Sequence, residues 1–125
     1  MKRLVAMMAL ALLVAGCDSG PEGPGDLTAT FTGSGDPPGG VVLEVIGAGI
    51  VGFSGQGGTK VFWAAQETPS VYRVIVLSEG GSDLSFSTSV EDVGKRMPRA
   101  TVVSVVNQEN MPLPVTNDYQ VKFRR

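Results

Sequence analysis

Histidine is absent from this chain of 125 residues, which excludes a Ser-His-Asp triad and any histidine metal site. Cysteine occurs once, as Cys17, so no disulfide can close within the chain and the fold must stand on packing alone. Aromatic side chains are few, with one Trp, two Tyr and five Phe, so each one is a candidate for the core or for ligand contact. Positive charge is scarce as well. Ten Lys and Arg face twelve Asp and Glu, a formal charge of −2. The cations that cluster are Lys95, Arg96 and Arg99, with Lys122, Arg124 and Arg125 at the far end, and they read as solvated rims. No broad basic face of the kind a phosphate backbone needs is written in the sequence, so no nucleic-acid partner is expected. No apolar run reaches the roughly 20 residues of a membrane-spanning helix either.

What is present begins with a leader. Met1-Lys2-Arg3 is positive and residues 4–14 are continuously apolar, about the length of a signal-peptide core. Small residues follow, and Val14-Ala15-Gly16-Cys17 resembles a lipobox, with Val14 where leucine is commoner. The segment is similar to a bacterial lipoprotein signal peptide. The resemblance implies cleavage before Cys17, a thioether-linked diacylglycerol on its sulfur and acylation of the freed amine. Each methylene buried in lipid contributes about 0.8 kcal/mol, so two or three chains anchor stably. Asp18 resembles the inner-membrane retention signal of some enteric bacteria, a lineage-specific rule that leaves the leaflet open. Expected boundaries are a signal peptide over 1–16, a lipidated cysteine and Gly/Pro linker over 17–26, and one domain over 27–125. Localisation follows as exported and lipid-anchored. Without Lys2 and Arg3 the charge balance becomes 8 against 12.

The 17 glycines and 8 prolines predict many turns. Between them, short runs of β-branched and aromatic residues recur and none carries a 3.6-residue period. Leu27, Ala29 and Phe31 alternate with threonines, and Val41, Leu43 and Val45 form the inward set of a second run. Residues 59–65 place Val61 and Trp63 on one face and Lys60 and Phe62 on the other. Further strands are expected over 71–77, around Leu84 and Phe86, over 100–106, and from Tyr119 to Arg124 with a charged outer face. About seven strands at this spacing predict an all-β antiparallel β-sandwich, with a small barrel as the alternative pairing. Lys60, Arg73 and Lys122 would guard strand edges against aggregation.

Gly47-Ala48-Gly49-Ile50-Val51-Gly52 matches the dinucleotide fingerprint G-x-G-x-x-G. That motif needs a helix after its third glycine. Phe53-Ser54-Gly55-Gln56-Gly57-Gly58 has three glycines where the helix would start, each about 1 kcal/mol worse than alanine, so a bend is expected and no cofactor. Catalysis is not expected. Lys60 and Lys95 lie in no serine-lysine nucleophile motif, and Glu91 and Asp92 are adjacent, so on a strand they would face opposite sides. The acids and amides between Glu79 and Asp118 show no calcium-loop spacing and read as turn residues.

Trp63, with Phe62 beside it and Tyr72 nearby, is the candidate binding group. It reads either as the large aromatic at the centre of the sandwich, the commoner arrangement, or as a platform on which a sugar stacks. Phe62 and Trp63 cannot both be core on one strand. Val42-Leu43-Glu44-Val45, Arg73-Val74-Ile75-Val76-Leu77-Ser78 and residues 100–107 resemble the cohesin-like and carbohydrate-binding-module group of bacterial β-sandwiches, without a dockerin-contact motif. The sequence therefore points to a lipid-anchored, non-catalytic module that binds an envelope protein or glycan. A structural lipoprotein without a ligand is the alternative.

Overall fold

The computed structural model describes residues 22–33, 35, 38–79 and 83–125. The leader and Cys17 lie outside them. The described residues hold nine strands, in chain order β1 (Gly25–Thr32), β2 (Gly40–Ile46), β3 (Ile50–Gly55), β4 (Thr59–Ala65), β5 (Val71–Ser78), β6 (Ser85–Val90), β7 (Arg99–Val106), β8 (Pro112–Leu113) and β9 (Gln120–Arg124). They form two antiparallel sheets, a four-stranded one in the order β3-β6-β1-β9 and a five-stranded one in the order β4-β5-β2-β7-β8. The sheets bury their facing sides against each other. This is the all-β sandwich that the period-2 pattern demands.

The alternation sorts side chains as expected. Leu27, Ala29 and Phe31 of β1 and Val41, Leu43 and Val45 of β2 are buried, meeting Val74 and Val76 of β5 and Phe86 of β6 in one core. Two strands exceed the seven expected. In β3 the register with β6 slips between Ile50 and Gly52, leaving Val51 as an exposed extra residue. Ile50 and Phe53 both point inward, three residues apart, so the bulge erases the period-2 signal and two glycines dilute the rest. β8 spans two residues, too few to carry a pattern. The edge strands are β3 and β9 in one sheet and β4 and β8 in the other. Lys60 and Lys122 do stand on edge strands. Arg73 does not: β5 lies inside its sheet, where the Arg73 guanidinium faces Glu44 on neighbouring β2 at 3.7 Å.

Strand pairing is already in place before residue 27. β1 begins at Gly25, and Gly23 is already clamped: its N–H donates to Asp92 Oδ1 at 3.0 Å and its carbonyl accepts from Val93 N at 2.9 Å. Asp92 Oδ1 also accepts from Gly94 N at 2.9 Å. The Gly94 and Gly23 amides, helped by the charge of Lys95, hold the Asp92 carboxyl below its ordinary value. A depressed carboxylate contributes stability that is present above the unfolded-state pKa of about 3.9 and is lost as pH falls through the lower folded value. Wild type is therefore expected to have a higher urea midpoint than Asp92→Asn at neutral pH. Titration below about pH 4 should close that gap, and a gap independent of pH would remove the carboxylate from the clamp.

Candidate functional site

Every strand direction places the same segments at each end of the sandwich. Gly25 pairs with Val90, and Ile46 pairs with both Val71 and Arg99, so one end gathers the Gly23 clamp and the connections 47–49, 66–70 and 91–98. The other end gathers the exits of β1 and β7 and the entries of β6 and β9. It carries Glu79, Asp83, Glu109 and Asp118 against Lys60, which is itself paired with Glu79 at 2.9 Å. That distal end is acidic.

A cleft of about 300 Å³ opens there. Phe31 and Tyr119 form one side, stacked with ring centroids 5.4 Å apart and planes 26° from parallel. The pairing of β1 with β9 brings them together, since Thr32 faces Gln120 and Tyr119 is the residue before it. Gly33 makes the stack possible: a Cβ there would sit 2.6 Å from Tyr119 Cδ1. Thr30, Thr32, Asp83 and Ser85 are also among its lining residues, so hydroxyl- and carboxylate-bearing residues stand near the Tyr119 ring, which buried Phe31 backs from the core. Such a lining offers stacking from one side and hydrogen bonds from the other.

The expected trio does not form one site. Trp63 and Tyr72 point into the sandwich flank and meet with ring centroids 6.0 Å apart, edge to face. Phe53 of β3 completes the group at 5.5 Å from Trp63 and 5.7 Å from Tyr72. The Tyr72 hydroxyl donates to the Ile50 carbonyl at 3.2 Å, a bond from one sheet to the other. Phe62 is on the opposite, outer face, 57% exposed and opposite Ile75. Trp63 is 42% exposed, so it is not the central aromatic of the core; that position belongs to Phe86, which is fully buried. The aromatic wall closes the gap between edge strands β3 and β4, which belong to different sheets.

No family, curated protein or solved structure matches this chain. The site therefore rests on geometry and chemistry alone. The three segments that carry the cohesin-like resemblance fall on β2, β5 and β7, adjacent strands of the five-stranded sheet, and contribute no residue to the cleft lining.

Residues 47–49 cross from β2 to β3 and thus from one sheet to the other, and residues 50–52 already belong to β3. Gly49 turns the chain with φ +72°, and Gly52 lies under the Trp63 indole, where an added Cβ would approach Cζ2 to 3.3 Å. A strand follows in place of a helix, so the backbone N–H fan that would cradle a pyrophosphate is not built. Among the described residues no three acids gather within reach of one metal ion. Phe31, Asp83 and Tyr119 are the cleft residues that the sequence reading did not single out. Phe31 and Tyr119 sit in alternating apolar runs, where core and cleft lining carry the same signal.

Proposed function

We propose that this chain is an exported lipoprotein, anchored through Cys17, whose β-sandwich is a non-catalytic module that holds a sugar unit of an envelope glycan in the distal cleft. The observation that carries this reading is the cleft itself. It opens at the end away from the Gly23 clamp, where a tethered domain presents itself outward, and it sets the Tyr119 ring, backed by buried Phe31, among Thr30, Thr32, Asp83 and Ser85. At about 300 Å³ it is at the small end of ligand sites, which suits one or two sugar rings rather than a folded partner.

The test is capture from envelope glycans with the domain from Glu22 onward as bait, since a start at Gly25 would remove the clamp at Gly23. Wild type is expected to retain a glycan that Tyr119→Ala and Asp83→Asn lose. Losing one aromatic stacking surface and one charge-assisted hydrogen bond should weaken binding by about 10-fold or more each. Retention lost with Trp63→Ala alone would move the ligand to the flank. Retention of a protein in place of a glycan, or of nothing, would overturn the reading in favour of an assembly or structural lipoprotein. Thermal unfolding of each variant separates lost binding from lost fold.

A further inference from the structure

At the end opposite the cleft, a groove of about 250 Å³ lies between the β2–β3 connection and the loop that leads into β7. Lys95, Arg96 and Arg99 line it with the apolar side chains of Ile46 and Met97, and no carboxylate is among the described residues of its lining. Arg96, Lys95 and Arg99 are exposed, and none of the three makes an ion pair among the described residues. Three exposed cations around an apolar floor, with Lys95 also acting on the Asp92 carboxylate, have the chemistry that suits a phosphate whose carrier is itself apolar.

The groove's position says which carrier. The 91–95 turn that clamps Gly23 through Asp92 and Val93 runs directly into Lys95 and Arg96, so the point where the N-terminal segment enters the domain and the cations of the groove are held by one short loop. Arg125 Nε braces the same loop by donating to the Val93 carbonyl at 2.8 Å. Five residues separate Cys17 from Gly23, six steps along the chain that reach at most about 20 Å even when fully extended. A lipid on Cys17 would therefore keep this end, and not the acidic distal one, at the headgroups. The acids of this end are partly engaged elsewhere. Asp92 is in the clamp and Asp26 accepts the Ser89 hydroxyl at 2.8 Å, while Glu91 lies over Gly49 and Glu22 and Glu67 stand outside the groove.

We propose that the Lys95–Arg96–Arg99 groove docks on the phosphate headgroups of an anionic membrane lipid, so that the anchored domain stands with its cleft pointing away from the surface. This rests on the reading of Cys17 as the anchor. Each cation near an anionic surface favours the docked state by about fivefold, so three together favour it by about 100-fold. Added salt should erase most of that, because the Debye length shrinks to about 3 Å at 1 M.

The test uses the intact chain in phosphatidylcholine vesicles with and without phosphatidylglycerol, and follows backbone hydrogen exchange over residues 91–99. Phosphatidylglycerol is expected to slow exchange there. High salt should reverse the slowing, and Lys95→Ser/Arg96→Ser/Arg99→Ser should abolish it, while Lys60→Ser at the distal end leaves it unchanged. Equal exchange in both vesicles overturns the proposal. Inorganic phosphate producing the same slowing in phosphatidylcholine vesicles also overturns it, in favour of a small-anion site. The anchor is read separately, by palmitate labelling of wild type and Cys17→Ser in cells. A chain that carries no lipid fails the anchoring reading, and its addition to preformed vesicles then decides the groove: co-flotation with phosphatidylglycerol alone upholds it, and none overturns it.

Discussion

Phe86→Ala is expected to lower the thermal midpoint of the domain by about 15–25 °C, corresponding to about 3–5 kcal/mol for a deleted core phenylalanine. Phe86 is fully buried and occupies a row that runs across the four-stranded sheet from Gly55 through Phe86 and Ala29 to Phe123. Its immediate neighbours in the row are therefore a glycine and an alanine, with nothing to swing into the space it leaves. The larger rings, Phe53 and Phe123, reach it at centroid distances of 6.2 and 6.3 Å, and Phe53 is itself held by Trp63 and Tyr72. The cavity cannot collapse, which places the loss at the upper part of the range. Since a domain of this size is stable by about 5–15 kcal/mol in total, the variant would approach the unfolding threshold at ambient temperature. Phe86→Leu keeps most of the volume and should recover more than half of the loss. A midpoint within a few degrees of wild type for Phe86→Ala would mean that the row repacks and that the core is centred elsewhere.

The same row shows why so much of the fold was legible. In β1, β2, β4 and β9 every second residue is apolar and none of these strands itself carries an extra residue, so the inward sets could be read directly. Where a bulge intervenes the reading stops. Val51 in β3 and the slip between β2 and β7 at Val42 and Leu43 each put two inward residues three apart, as in Val102 and Val105, and period 2 no longer identifies the face. β7 survived because its valine density is high. β3, with Gly52 and Gly55, did not.

Site residues were less legible for a different reason. The aromatic content marks Trp63, Phe62 and Tyr72, and alternation correctly separates Phe62 from Trp63, yet only the pairing of strands from opposite ends of the chain tells which aromatics meet. Phe31 and Tyr119 come together because the last strand lies beside the first. Trp63 and Phe53 come together because the chain crosses from one sheet to the other at Gly47 to Gly49. Neither juxtaposition has a local signature. The glycines that permit them, Gly33 under Tyr119 and Gly52 under Trp63, read in the sequence as ordinary turn and motif glycines.

Thr88→Val should move stability in the opposite direction to the first substitution, raising it by about 1–3 kcal/mol. Thr88 lies on β6 two residues from Phe86, paired with Phe53 on one side and Leu27 on the other, and is fully buried. Its Oγ1 has no hydrogen-bond partner among the described residues, so folding strips water from the hydroxyl and returns nothing from them. Valine has nearly the same shape, keeps the β-branching that suits a strand and replaces the oxygen by a methyl group at home among Phe53 and Leu27. Thr88→Ser separates the two contributions. It retains the hydroxyl and loses the methyl, so it should fall below wild type while valine rises above it. Urea unfolding of the three proteins measures both differences on one scale. A valine variant no more stable than wild type would show that the hydroxyl does have a partner in solution. A serine variant as stable as valine would show that packing at this position is indifferent to the methyl. The expected order of valine above threonine above serine would instead mark Thr88 as a polar residue carried inside the core at a loss.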